Sequence, residues 1–181
     1  MQPALLVRFR PAGPWRIGPA GGARDEVDRI YHSDTLFSAV SNALARLGML
    51  EEWLVETVEN PQGSAVAFSS CFPCAGPLLL VVPPRTLWPP AASPKVRWKS
   101  AQFIPLPLVA ALLAEEPLSE DRWVIDGPSQ CLLPQNSRLG GPFRLASRSH
   151  AAVDRLTGAA LAHSTACLEF AEGAGLWAVA V

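Results

Sequence analysis

Eighteen prolines and thirteen glycines, spread through 181 residues, restrict this chain to short elements joined by turns and irregular segments. Proline removes a backbone donor and clashes with the preceding helical turn, while glycine loses more backbone entropy on ordering than any other residue. Few long helices follow, and an all-α architecture is not expected. The chain is nonetheless 49% hydrophobic. A sequence of this length and apolar content buries most of the surface that its unfolded form exposes, so one compact domain with its own core is expected.

No apolar run reaches the ~18 to 20 residues of a membrane span. Between Pro77 and Pro84 only the five residues Leu78 to Val82 follow one another. Met1 to Arg10 carries no basic segment, apolar stretch and small-residue cleavage site of a secretory signal. A cytoplasmic chain with reduced cysteines is expected, with no membrane partner.

A formal net charge of −1 argues against a general nucleic-acid binder, but the placement of charge says more. All fifteen basic residues except Lys95 and Lys99 are arginine. They gather at Arg8, Arg10, Arg16 and Arg24, and again at Arg138, Arg144, Arg148 and Arg155. The planar arginine fork suits phosphate, so two such stretches can make a basic groove on a neutral protein; a codon bias that writes Arg for Lys accounts for the same count. Acid gathers in Glu51, Glu52, Glu56 and Glu59.

Hydrophobic periodicity then orders the elements. Ala4 to Phe9 alternates as a strand, with Leu5, Val7 and Phe9 on one face. Ser33 is placed as an N-cap beside Asp34, Leu36, Val40, Leu44 and Leu47 recur at helical spacing, and Gly48 sits where a left-handed C-cap belongs. A second helix is expected over Leu50 to Val58, with its acidic cluster outward. Ala65 to Val82 turns to β, ending in a buried strand at Leu78 to Val82, and Pro83 to Pro94 is extended. A short helix is expected after Pro107 within Phe103 to Ala114. Asp126 to Ser149 reads as a long loop or hairpin arm, the extended arm proper being residues 127–149. Ala166 to Ala171 and Leu176 to Val181 read as a closing β-hairpin. Helices on one face of an antiparallel sheet, with an irregular loop or hairpin insertion, give an α+β fold of the ferredoxin-like (RRM-like) type over residues 1–181.

Several constellations bear on chemistry. Cys71 and Cys74 form a Cys-x-x-Cys, but Cys131 and Cys167 stand alone, and neither a second pair nor a strand-to-helix redox context is present, so buried thiols and no zinc are expected. Gly18 to Gly22 lacks the lysine, serine and helix of a phosphate loop. Trp88, Trp98 and Phe103 lie among Arg85, Lys95, Arg97 and Lys99, which suits unpaired bases and equally suits anchoring a proline-rich loop to the core. Asp34 serves the helix dipole and Asp154 orients Arg155, so neither is read as a metal ligand, and no cofactor is expected.

Four stretches in order carry a resemblance. IYHSDTLFSAVSNALARL (Ile30 to Leu47), AFSSCFP (Ala67 to Pro73), SHAAVDRLTG (Ser149 to Gly158) and GAGLWAVAV (Gly173 to Val181) together resemble the fourth-subunit family of the type III-A CRISPR Csm complex, within the RAMP superfamily. The most specific parts are residues 32–39 and 149–158. The resemblance implies two ferredoxin-like lobes, of which this chain corresponds to the N-terminal one, a fragment of the whole. It further implies a non-catalytic subunit that binds the 5′ repeat-derived tag of guide RNA and joins the large polymerase-like subunit to the backbone RAMP subunit. On that reading His32, Ser33, Arg148, His150 and Arg155 are the RNA-binding positions, meeting on one side of the sheet, with the positive end of the first helix and the two arginines forming a compact anion site. Relatives that cleave guide precursors without metal use a histidine or tyrosine near Tyr31 and His32, which gives the alternative, a metal-independent endoribonuclease. An assembly module docking through the acidic helix is the other rival.

Overall fold

The computed structural model of the protein describes residues 3–18, 22–90, 96–136 and 140–181. Its strands are β1 (Leu5–Phe9), β2 (Phe72–Ala75), β3 (Leu78–Val81), β4 (Ile104–Pro105), β5 (Trp123–Asp126), β6 (Cys131–Pro134), β7 (Phe143–Val153), β8 (Ala160–Phe170) and β9 (Ala174–Ala180). The α-helices are α1 (Ser33–Arg46), α2 (Leu50–Leu54) and α3 (Leu106–Leu113).

The central sheet runs in the order β1-β9-β2-β3-β4, and every neighbouring pair is antiparallel. Because β1 and β2 both run against β9, they are parallel to each other, with α1 in the connection between them. This is the split β-α-β unit of ferredoxin-like folds, and the α+β class expected from the sequence is the one observed. Leu36 is the buried anchor of α1, with Val40 packed against the same core. Gly48 closes the helix at φ 74°, as its position in the sequence indicates.

The helix begins differently from expectation. The N-cap position belongs to His32, not Ser33, and no side chain caps it. Ser33 is already helical, and its N–H donates to Ser70 Oγ at 3.3 Å, so a serine from a distant segment of the same chain supplies the acceptor that the helix start was expected to find in its own hydroxyl. The second helix also changes character. Only Leu50–Leu54 is α-helical, and Val55–Glu59 widens into a π-turn in which the buried Thr57 hydroxyl donates to the Trp53 carbonyl at 2.6 Å. Glu51, Glu52, Glu56 and Glu59 do face solvent.

The closing hairpin expected near the C-terminus is not formed. β8 and β9 are consecutive, yet β8 pairs with β7 in a two-stranded sheet, while β9 lies between β1 and β2. The extended arm is likewise displaced: it is the β7–β8 hairpin, Phe143 to Phe170, and not residues 127–149. Residues 131–134 of the expected arm instead form β6, paired with β5, and Ser137, Arg138 and Leu139 lie outside the described residues. Small and polar residues dominate β7, and neither of its faces alternates strongly enough to look like a strand.

Two cores sit back to back. Leu36, Cys71, Leu80, Phe103, Cys131, Leu133, Phe143, Leu168 and Leu176 fill one. Trp98, Ile104, Leu108 and Leu132 fill the other. By contrast β1 is nearly bare: Leu5 is 70% and Leu6 49% exposed, and among the described residues no strand pairs with its outer edge.

The β1–β9 pairing depends on a missing side chain. A Cβ added at Gly175 would lie 2.1 Å from the Phe9 carbonyl oxygen and 3.2 Å from Pro11 Cδ, so only glycine lets the two backbones close. Gly175→Ala is expected to destabilise the domain by more than about 3 kcal/mol or to prevent folding. Gly127→Ala, where a Cβ meets nothing within 4 Å, is expected to change stability little. Thermal and urea denaturation of the two variants checks the contrast.

Candidate nucleic-acid interface

The β7–β8 hairpin is an eleven-pair ladder from Phe143↔Phe170 to Val153↔Ala160, closed at its tip by Asp154. The Asp154 carboxylate accepts from the Leu156 N–H at 2.8 Å and from the Thr157 hydroxyl at 2.7 Å, and Gly158 turns at φ 70°. These bonds, the Thr157 hydroxyl first, hold the carboxyl below its ordinary range. Asp154 therefore builds the turn instead of orienting Arg155, which stands exposed at the tip.

Successive strand residues point to opposite faces, so Arg144, Arg148 and His150 share one side of β7. Glu169, across the ladder, receives Arg144 Nη2 at 2.8 Å and Arg148 Nη2 at 3.4 Å. The Arg144 hydrogen bonds are the main cause that holds the Glu169 carboxyl below the usual carboxylate range, with Arg148 adding to it. Farther out, His150 pairs with His163, their rings stacked with centroids 5.5 Å apart. The arm thus carries two arginines sharing one carboxylate at its base, an imidazole pair, and an exposed arginine beside Asp154 at its end.

His32 and Ser33 lie elsewhere, at the start of α1. His32 is exposed, with Nε2 3.1 Å from Asp28 Oδ2. Tyr31 bridges to Cys71, and Trp15 links this region to the hairpin base, bridging Leu168 and meeting Tyr31 edge-on at 6.3 Å. Leu168 pairs with Leu145, and the ladder continues outward to Val153. At a rise of about 3.3 Å per residue, those eight steps carry the turn about 26 Å away. Arg148, His150 and Arg155 are brought together on one arm, and His32 and Ser33 near its root. A single compact anion site made by α1, Arg148 and Arg155 is not formed, because the length of the ladder separates the turn that carries Arg155 from the hairpin base.

The first arginine cluster also disperses. Arg16 donates to the Ala23 carbonyl at 2.7 Å. Arg8 and Arg10 line a groove of about 620 Å³ with Cys74, Glu172 and Gly175. A second groove, of about 630 Å³, is lined by Asp28, Arg29, Arg85, Trp88, Gln102 and Phe103, among others. Its Arg29 was not legible beforehand, since the two glutamines that hold it come from distant segments. Of the aromatics among basic residues, Trp98 and Phe103 are core side chains. Trp88 stacks on Trp98 at 5.3 Å and donates its indole N–H to the Trp98 carbonyl at 3.1 Å. Lys95 lies outside the described residues.

All four cysteines are buried free thiols. Burial pushes Cys71 up to about 11 and Cys131 up to about 12. Among the described residues no three His, Cys, Asp or Glu side chains gather as metal ligands, and no helix is long and apolar enough to cross a membrane.

This architecture recurs in solved structures. The Csm1-Csm4 cassette in complex with AMPPNP contains a chain that superposes with a TM-score of 0.59 at 19% identity, covering 99% of this sequence and 60% of that chain. The Csm3-Csm4 subcomplex of the type III-A CRISPR-Cas interference complex contains one at 0.58 and 13% identity, with coverages of 98% and 57%. Csm4 is the component named in both. The fold is that of a Csm4-like subunit. The chain spans about 60% of the length of the Csm structures it matches. No protein-family model and no curated protein matches the sequence.

Within this Csm4-like fold two groups give direct readouts. Glu169 is expected to titrate below the ordinary carboxylate value of 4.5 and to move back toward it in Arg144→Ala, as followed by carboxyl NMR. Since the folded value is depressed, its ion pairs support the hairpin base above the unfolded value and are lost as pH falls through the folded one. Cys71 and Cys131 are expected to resist alkylation at pH 8 until the protein is denatured, because both remain protonated and covered; rapid labelling of the native protein, located by mass spectrometry, would contradict the burial.

Proposed function

We propose that this chain is a non-catalytic subunit of a type III-A CRISPR RNA-guided effector complex that holds the 5′ repeat-derived tag of the guide RNA. In the same reading it links the large polymerase-like subunit to the backbone RAMP filament. The observation that carries the reading is the fold shared, over 98% or more of this sequence, with chains of both the Csm1-Csm4 and the Csm3-Csm4 assemblies. A fold found beside two different partner subunits suits a bridge between them.

The hairpin supports the RNA half of the proposal. Single-stranded RNA is gripped by arginine at its phosphates and by flat rings at its bases. Arg148, the stacked His150–His163 pair and exposed Arg155 supply both along one arm. Glu169 already engages Arg148, whereas exposed Arg155 has no ion-pair partner among the described residues. His32 and Ser33 offer a second contact near the arm's root.

One observation favours the endoribonuclease alternative: exposed His32 has a carboxylate partner in Asp28 at 3.1 Å, an arrangement that can orient an imidazole as a general base. Metal-free cleavage of repeat RNA that disappears in His32→Ala would replace the non-catalytic reading.

In the assembled complex, Arg155→Ala is expected to weaken guide-tag binding about tenfold, Arg148→Ala less, and Arg122→Ala hardly at all, with the salt dependence of binding reduced in Arg155→Ala. Fluorescence anisotropy over a salt series, with circular dichroism to verify the fold, measures this. Equal affinities in all four proteins would remove the hairpin from the RNA path.

A further inference from the structure

The groove beside α1 contains a guanidinium held in place but not neutralised. Arg29 Nη1 donates to Gln102 Oε1 at 2.6 Å and also to Gln130 Oε1. Those two bonds use both Nη1 protons. The remaining donors, on Nε and Nη2, have no partner among the described residues, and they form the edge by which arginine grips a phosphate with two parallel bonds. Amide oxygens orient a cation without cancelling its charge. The neighbouring carboxylate, Asp28, is committed to the Ile30 N–H at 3.0 Å and to His32. Arg29 is half-buried, and its burial lowers its pKa with only the Cys131 thiol acting in the other direction. A desolvated, unpaired cation is costly unless an anion joins it.

The support for Arg29 is itself unusual. Gln130 adopts φ 54°, a left-handed backbone that side chains other than Gly, Asn and Asp rarely take, and strain of this kind clusters where a binding site requires it. Asp126 fixes the turn by accepting the Gln130 N–H at its carbonyl, 2.8 Å away, and the buried Ser129 hydroxyl at its carboxylate, 2.6 Å away. The rest of the groove suits a flat ligand. Arg85 adds a second cation, and Trp88, backed by Trp98, stands beside Val82, Pro83 and Phe103. A volume of about 630 Å³ suits one small ligand and not a duplex.

We infer that this groove binds one nucleotide unit of single-stranded RNA, its phosphate on the free edge of Arg29 with Arg85, and its base against the apolar wall that includes Trp88. The inference rests on the guide-RNA reading and adds to it a site remote in sequence from the hairpin, centred on Arg29, which lies outside the four motifs that carry the resemblance.

The test uses single-stranded tag RNA and the whole chain in its complex. Arg29→Ala is expected to lower affinity about tenfold. Arg85→Ala and Gln130→Asn are expected to lower it several-fold, and both keep the fold, since asparagine accepts the left-handed backbone but falls one methylene short of Arg29. Photo-cross-linking of the bound RNA is expected to mark the peptide containing Arg85 and Trp88. Should the groove variants bind like the wild type and cross-links avoid this peptide, while Arg155→Ala still weakens binding, the groove is not a nucleotide site and the RNA reading stands. Failure of the wild type itself to bind RNA would overturn both together. If Arg29→Ala unfolds, the other two variants and the cross-link decide.

Discussion

Among the described residues, one parallel bridge ties the backbone just before β4 to the start of β6. Phe103 and Cys131 lie side by side, with the Leu132 N–H on the Phe103 carbonyl at 2.9 Å and the Gln102 N–H on the Gln130 carbonyl at 2.9 Å. Residues on either side of it divide between the two cores: Cys131 and Leu133 enter one and Leu132 the other, as strand alternation requires. With no solvent on either face, every side chain here must be apolar or satisfied, which is why the Cys131 thiol stays protonated far above neutrality. The same seam places the Gln102 and Gln130 side chains within reach of one guanidinium, so core packing and the charge of the neighbouring groove share a cause.

The elements legible in the sequence are those whose signals are local. Leu36, Val40 and Leu44 repeat at helical spacing and Gly48 ends the run, so α1 could be read; Leu78 to Val81 is apolar throughout, as a buried strand should be. What escaped was strand partnership. β8 and β9 look like a hairpin because only three residues separate them, but β9 is drawn between β1 and β2 by contacts from far along the chain. Asp126 to Ser149 reads as a loop or hairpin arm without a definite strand because a two-stranded ladder with little burial has no apolar face to alternate. Of the site, the chemical types at Arg148, His150 and Arg155 were legible and their separation from Ser33 was not. Arg29 gave no local signal, as one of its two glutamine partners is 101 residues away.

The hairpin and the groove represent two ways of handling arginine. On the arm, Arg144 and Arg148 share the one Glu169 carboxylate, while Arg155 stands exposed beside Asp154 at the tip. In the groove, compensation is withheld and orientation is supplied by neutral amides. A net charge near zero is compatible with both, because each depends on local pairing and not on the total.

The bare strand β1 has a consequence for handling the protein. Its unpaired backbone groups and exposed Leu5 and Leu6 form a template on which another strand can add. Arg10 follows one end of that edge and, together with Arg8, whose guanidinium donates to the Gly76 carbonyl at 3.1 Å, opposes the approach of a like-charged copy. Salt screens this repulsion just as it screens attraction to phosphate. Ionic strength therefore acts in opposite senses on the two kinds of surface: a buffer concentrated enough to strip nucleic acid from the arm also weakens the charge barrier that keeps neighbouring sheets apart.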